Sequence, residues 1–159
     1  MSESIVVTIN TLEHSTVNFE LYPNINLAWG IKFCGYEDYI PTNDNGNIIN
    51  GTTVLNADAL DVTFDSSQPS LELIYRLKND MLFRSEGPIM IDRNGAPVTF
   101  NFALEEDLRV LHLVVNYIGD DPAPDILTQL NFQLVCRSAT NELLHYCSQD
   151  PLIIVRGPS

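Results

Sequence analysis

The sequence has little positive charge, few cysteines and no long apolar run. Eight bases oppose 21 acids over 159 residues, a formal net charge of −13. A field of that sign repels phosphate backbones, and the bases, scattered from Lys32 to Arg156, form no cluster. Direct nucleic-acid binding is therefore not expected. The acids are dispersed too, so no acidic tail of the histone-binding kind is present. A net charge of this size speaks to solubility.

Cys34, Cys136 and Cys147 make an odd, widely spaced set, unlike a secreted disulfide framework. No apolar run approaches the ~20 residues of a membrane span. Residues 1–10 show neither the basic nor the apolar region of a signal peptide. The expectation is a cytoplasmic protein, or one exported without a cleaved signal peptide, with no membrane span. A chain of this length buries roughly 70% of its unfolded surface, so neither disulfide nor metal is needed to hold it.

Catalytic signatures are also missing. There is no Gly-x-Ser-x-Gly elbow and no Ser-x-x-Lys. Residues 46–53 imitate the glycine spacing of a phosphate loop but lack its lysine and its helix. His14, His112 and His145 are the only imidazoles. His112, between Leu111 and Leu113, reads as a satisfied mid-strand histidine. No enzyme is expected.

What the chain does have is a rhythm of short runs with period-two alternation, broken by Pro, Gly, Asn and Asp. Candidate strands cover residues 5–10, 16–22, 28–34, 48–55, 60–65, 71–77, 81–84, 89–92, 97–104, 108–118, 126–137, 143–147 and 152–156. This predicts an all-β fold, an antiparallel β-sandwich or jelly roll forming one domain over 1–159. Val17, Phe19 and Leu21 oppose Asn18 and Glu20. Val98, Phe100, Phe102 and Leu104 oppose Thr99, Asn101 and Ala103. Each such strand should have one packed and one wet face. Residues 108–118 are apolar on both faces, the pattern of a central strand covered on both sides. Short helical turns fit residues 56–60 and 103–107. Arg93-Asn94-Gly95 predicts a tight hairpin joining 89–92 to 97–104.

The longest irregular stretch, residues 35–47, is the first candidate site. Glu37, Asp38, Asn43, Asp44, Asn45 and Asn47 offer hard oxygens of the kind calcium takes. The spacing fails an EF-hand loop, whose first ligand would fall on Pro41, and Asn, Asp and Gly are also ordinary turn residues. Tyr36 and Tyr39 beside these polar groups compose a carbohydrate-binding rim of Tyr36, Asp38, Tyr39, Asn43, Asp44 and Asn45. Trp29 alternates with Ile31 and Phe33 and belongs in the core. Cys136, His145 and Cys147 suit zinc chemically. A hairpin turning at residues 138–141 would pair Leu134 with His145 and Phe132 with Cys147, putting all three on the core face. Core packing is therefore the reading here.

The function expected is non-enzymatic: a structural or interaction subunit that self-associates into a homo-oligomer or larger assembly. Its contacts would lie in the apolar end runs, at Ile5, Val7, Ile153 and Val155. The alternative is a lectin-like, carbohydrate-binding module, calcium-assisted, working through residues 35–47. No other cofactor is called for.

Overall fold

A computed structural model describes residues 4–24, 28–41, 56–92, 95–120, 128–141, 143–149 and 151–158. Within them the protein is all-β. In chain order the strands are β1 (Ser4–Asn10), β2 (Thr16–Tyr22), β3 (Gly30–Phe33), β4 (Asn56–Thr63), β5 (Ser70–Leu77), β6 (Leu82–Phe83), β7 (Ile89–Asp92), β8 (Val98–Leu104), β9 (Val110–Tyr117), β10 (Thr128–Gln133), β11 (Val135–Arg137), β12 (His145–Cys147) and β13 (Leu152–Arg156). No helix among the described residues is long and apolar enough to cross a membrane. The predicted strand 48–55 lies outside the described residues.

Ten strands form one sheet in the order β7-β10-β13-β4-β3-β2-β5-β9-β8, with β1 pairing β4; β12-β11-β6 form a second. The large sheet divides into two wings, β1-β4-β13-β10-β7 and β3-β2-β5-β9-β8. A single backbone pair, Lys32 with Asn56, joins them. The chain passes repeatedly from one wing to the other, and side chains of both meet in one apolar core. Phe132 of β10 lies 5.4 Å from Phe100 of β8 and 6.5 Å from Tyr75 of β5, ring centre to ring centre. Phe64 and Tyr117 meet at 5.8 Å.

Several expectations need correction. The sheet is not antiparallel throughout, since β1 and β13 both run parallel to β4, and β2 runs parallel to β5. Alternation specifies a strand's faces and not its direction, and a chain that leaves a wing and returns can re-enter in either sense. Residues 56–60 form no helical turn, because β4 begins at Asn56, paired to Ser4. At 103–107, Ala103 and Leu104 finish β8 and only a turn follows.

The hairpin predicted around Asn94-Gly95 is absent as well. β7 pairs with β10 and β8 with β9, so the link between β7 and β8 crosses from one wing to the other. Gly95 does hold φ +72°, where glycine is nearly free of strain. Asn94 lies outside the described residues.

The doubly covered strand is also not the expected one. On β9, Leu111, Leu113, Val115 and Tyr117 are buried while Val110, His112, Val114 and Asn116 are half-buried. Full cover on both faces falls to β2, where Asn18 and Glu20 are as buried as Val17, Phe19 and Leu21. Its polar face was expected to be wet. Chain from the adjoining loop lies over it instead.

Arg109 ties the turn after β5 in place. Its guanidinium donates to the carbonyls of Leu77 (2.8 Å), Met81 (2.7 Å) and Asn79. The neighbouring Leu108 carbonyl accepts the N–H of Phe83 at 2.8 Å, which fastens the small sheet to the β8–β9 turn.

Cys34 and Cys136 are buried thiols and Cys147 is exposed. Burial pushes both buried thiols up to about 12, with Glu20 adding to the effect at Cys34 and Cys147 at Cys136. Thiolate is the reactive species, so at pH 8 a thiol reagent should label Cys147 rapidly and the other two only on unfolding. Rapid reaction of all three in the native protein would contradict this placement.

Candidate functional site

The residues of the first candidate site pack onto β2. Gly35, at φ +96°, starts the fold-over; a Cβ there would stand 2.4 Å from the carbonyl oxygen of Asp38. Only glycine allows this return. The Tyr36 carbonyl then accepts a hydrogen bond from the Asn18 amide, and the Tyr39 hydroxyl donates to Glu20. Arg76 donates to Asn18 Oδ1 at 2.6 Å, and its guanidinium carbon lies 3.8 Å from the centre of the Tyr39 ring. Lys78 Nζ stands 3.6 Å from the buried Glu20 carboxylate. Burial, and then the hydrogen bond to Glu20, raise the Tyr39 hydroxyl far above an ordinary tyrosine.

Tyr36 stacks on His14 at 3.7 Å with the rings 6° from parallel. Glu37 accepts from the Ser15 N–H and pairs with His14 Nδ1, both at 3.0 Å. Burial alone would raise its carboxyl, but these contacts hold it below the ordinary value. Tyr36 and Tyr39 each give a ring face to a partner within the chain, and those faces are closed to a sugar. Asp38 is exposed. Asn43, Asp44 and Asn45 lie outside the described residues. Trp29 is buried, in line with its core assignment.

The cysteine–histidine set comes apart. β11 and β12 pair Val135 with Cys147, Cys136 with Tyr146 and Arg137 with His145. That register is three residues away from the expected one, and an odd shift reverses faces. Cys136 stays in the core while His145 and Cys147 turn outward. The cause is a wider loop, closed by Ser138 N–H to Leu144 O and Leu144 N–H to Asn141 O. The long predicted strand 126–137 is also broken at Leu134, whose N–H is taken by the Ser148 hydroxyl. Among the described residues no three His, Cys, Asp or Glu side chains gather as metal ligands. His112 is not fully buried: it sits between Glu72 (3.1 Å) and Glu105 (2.9 Å) on the outer face of β9.

Of the end-run positions, Val7, Ile153 and Val155 point into the core of their own chain. Nothing is described of the Ile5 side chain. Outward on the same strands are Val6, 56% exposed, and the half-buried Leu152 and Ile154.

A different strand presents an open edge. β8 (VTFNFAL) ends its wing and carries no charge and no proline. Among the described residues no strand pairs with its outer side. Glu105 donates its N–H to Val110, and Pro97 accepts from Ile118, so the odd-numbered residues of β8 bond to β9. By alternation, the backbone groups of Phe100 and Phe102 point away from it. Phe102 is 42% exposed, with its ring beside Gly87, and Ile91 on β7, the edge strand of the other wing, is 46% exposed. Alternation alone could not reveal this edge, because strand order is invisible in a single sequence. Charge and proline are the usual guards of edges, and their absence from residues 98–104 was the available signal. No protein-family model matches this chain, and no curated protein matches it either.

Proposed function

We propose that the two wings form a β-sandwich and that the protein is a non-enzymatic interaction subunit, self-associating through the edge of β8. The observation that carries this reading is the unguarded edge. An uncharged, apolar edge strand is a template for another strand. The β8 sequence is also complementary to itself. Run antiparallel about Asn101, it sets Phe100 against Phe102 and Val98 against Leu104. The outward backbone groups of Phe100 and Phe102 pair in that register as a two-fold, isologous contact, while the Val98 N–H is already given to Ala96 O at 2.9 Å.

Proline tests this directly. Phe102→Pro deletes an outward N–H while sparing the bonds to β9, and proline is tolerated at such an edge position. Light scattering across a dilution series should show a dimer for the wild type and a folded monomer for the variant. Phe102→Val, which keeps the N–H, should still dimerise. A wild type that is monomeric at high concentration, or a dimer indifferent to Phe102→Pro, would refute the proposal.

A further inference from the structure

A cleft of about 410 Å³ opens between the turn after β6, the β8–β9 turn and the β11–β12 hairpin. Arg84, Ser85, Leu108, Arg137, Leu143 and His145 line it, with Glu86 as its one acid among the described residues. In a chain of net charge −13 this gathers two guanidiniums and an imidazole in one place. Other bases are committed elsewhere: Arg76 to Asn18, Lys78 to Glu20, Arg109 to backbone carbonyls and Arg156 to Asp61. Arg84 gives its Nε–H to Gly87 O at 2.8 Å, and Arg137 gives one N–H to Ser138 O at 3.2 Å. Among the described residues neither guanidinium reaches a carboxylate within ion-pair distance. Glu86 accepts from the Ser85 hydroxyl at 3.0 Å, and that bond first, with a smaller contribution from the nearby Arg84, holds its carboxyl below the ordinary value.

Two further observations mark the cleft. Leu108 has φ +59°, the only positive value at a described non-glycine residue. Bulky side chains adopt that conformation at a cost, and such strain gathers where a ligand is met. Here it is held by Leu108 N–H to Glu105 O (2.9 Å) and by the bond from Phe83. Leu143, on the opposite wall, is 90% exposed. An apolar side chain left so open beside two guanidiniums, each with one hydrogen bond among the described residues and that to a backbone carbonyl, makes a surface that is part apolar and part cationic.

We infer that this cleft binds a small organic anion, its carboxylate or phosphate head on Arg84 and Arg137 and its apolar body between Leu108 and Leu143. Guanidinium pairs suit both heads because each offers oxygens in the plane of the donor fork. The volume falls within the roughly 300–1,000 Å³ range of small-molecule sites. This inference stands apart from the β8 edge and does not depend on self-association.

The test is titration of isotope-labelled protein by NMR with hexanoate and with hexyl phosphate, beside acetate and inorganic phosphate. The six-carbon anions should give saturable shifts at Leu108, Leu143 and the arginine side chains, and the tighter of the two identifies the head. Arg137→Gln should weaken binding about tenfold or more, the size expected when a charge-assisted hydrogen bond is lost. Leu143→Asp alters only an exposed side chain and should abolish the same shifts in a protein with an unchanged spectrum elsewhere. Non-saturating shifts, equal response to acetate and hexanoate, or binding unaffected by both variants would overturn the inference.

Discussion

Phe132→Ala should lower unfolding free energy by about 3–5 kcal/mol, the range for emptying an aromatic core site. Urea denaturation followed by circular dichroism is the measurement. Phe132 is fully buried on β10, yet its ring neighbours Tyr75 and Phe100 belong to β5 and β8 in the opposite wing. The vacated space therefore has walls from both wings, and neither can close it without moving against the other. Phe132→Leu keeps most of the volume and should cost far less. A loss under about 1 kcal/mol for the alanine variant would mean that the wings do not share this contact.

Arg109→Met should cost about 3 kcal/mol. The methionine keeps an apolar stem but donates nothing to the carbonyls of Leu77, Asn79 and Met81. Hydrogen bonds from charged donors contribute about 1.5–3 kcal/mol each, and water at this partly exposed turn will replace some of them. Arg109→Lys should recover only part of the loss, since one ammonium lacks the planar fork that spans several acceptors. Equal stability of the lysine variant and the wild type would show that charge, rather than geometry, holds the turn.

Much of the strand inventory was legible in the sequence because it depends on neighbouring residues alone. Residues 16–22 carry alternation and residues 89–92 and 152–156 are short apolar runs, all bounded by turn formers, and the strands there have those limits. What alternation leaves open is which strands meet and in which direction. The β7–β10 pair was hidden behind an Asn-Gly signal that normally marks a hairpin. The cover over Asn18 and Glu20 was equally hidden, since two polar residues on a strand ordinarily signify water. Their partners, Tyr36 and Tyr39 among them, were noticed as a candidate rim. Nothing local shows that a tyrosine hydroxyl turns inward to a carboxylate. The cleft pairs Arg84 with Arg137, 53 positions apart in sequence and brought together only by the pairing of β6 with β11.

β4 is flanked by β1 on one side and β13 on the other, the first and last strands of the described chain. During synthesis, therefore, β4 leaves the ribosome with only one of its two flanking strands yet made. Apart from Asn56, which pairs with Lys32, its second side stays bare until residues 152–156 emerge, some ninety positions later. At about 5–20 residues per second, that leaves several seconds or more in which a strand with one apolar face, Leu60 and Val62 on it, is available to pair wrongly. The wing containing β4 is thus completed only once β13 has been made, whereas β2, β3, β5, β8 and β9 have all been made by Tyr117 and can assemble before it.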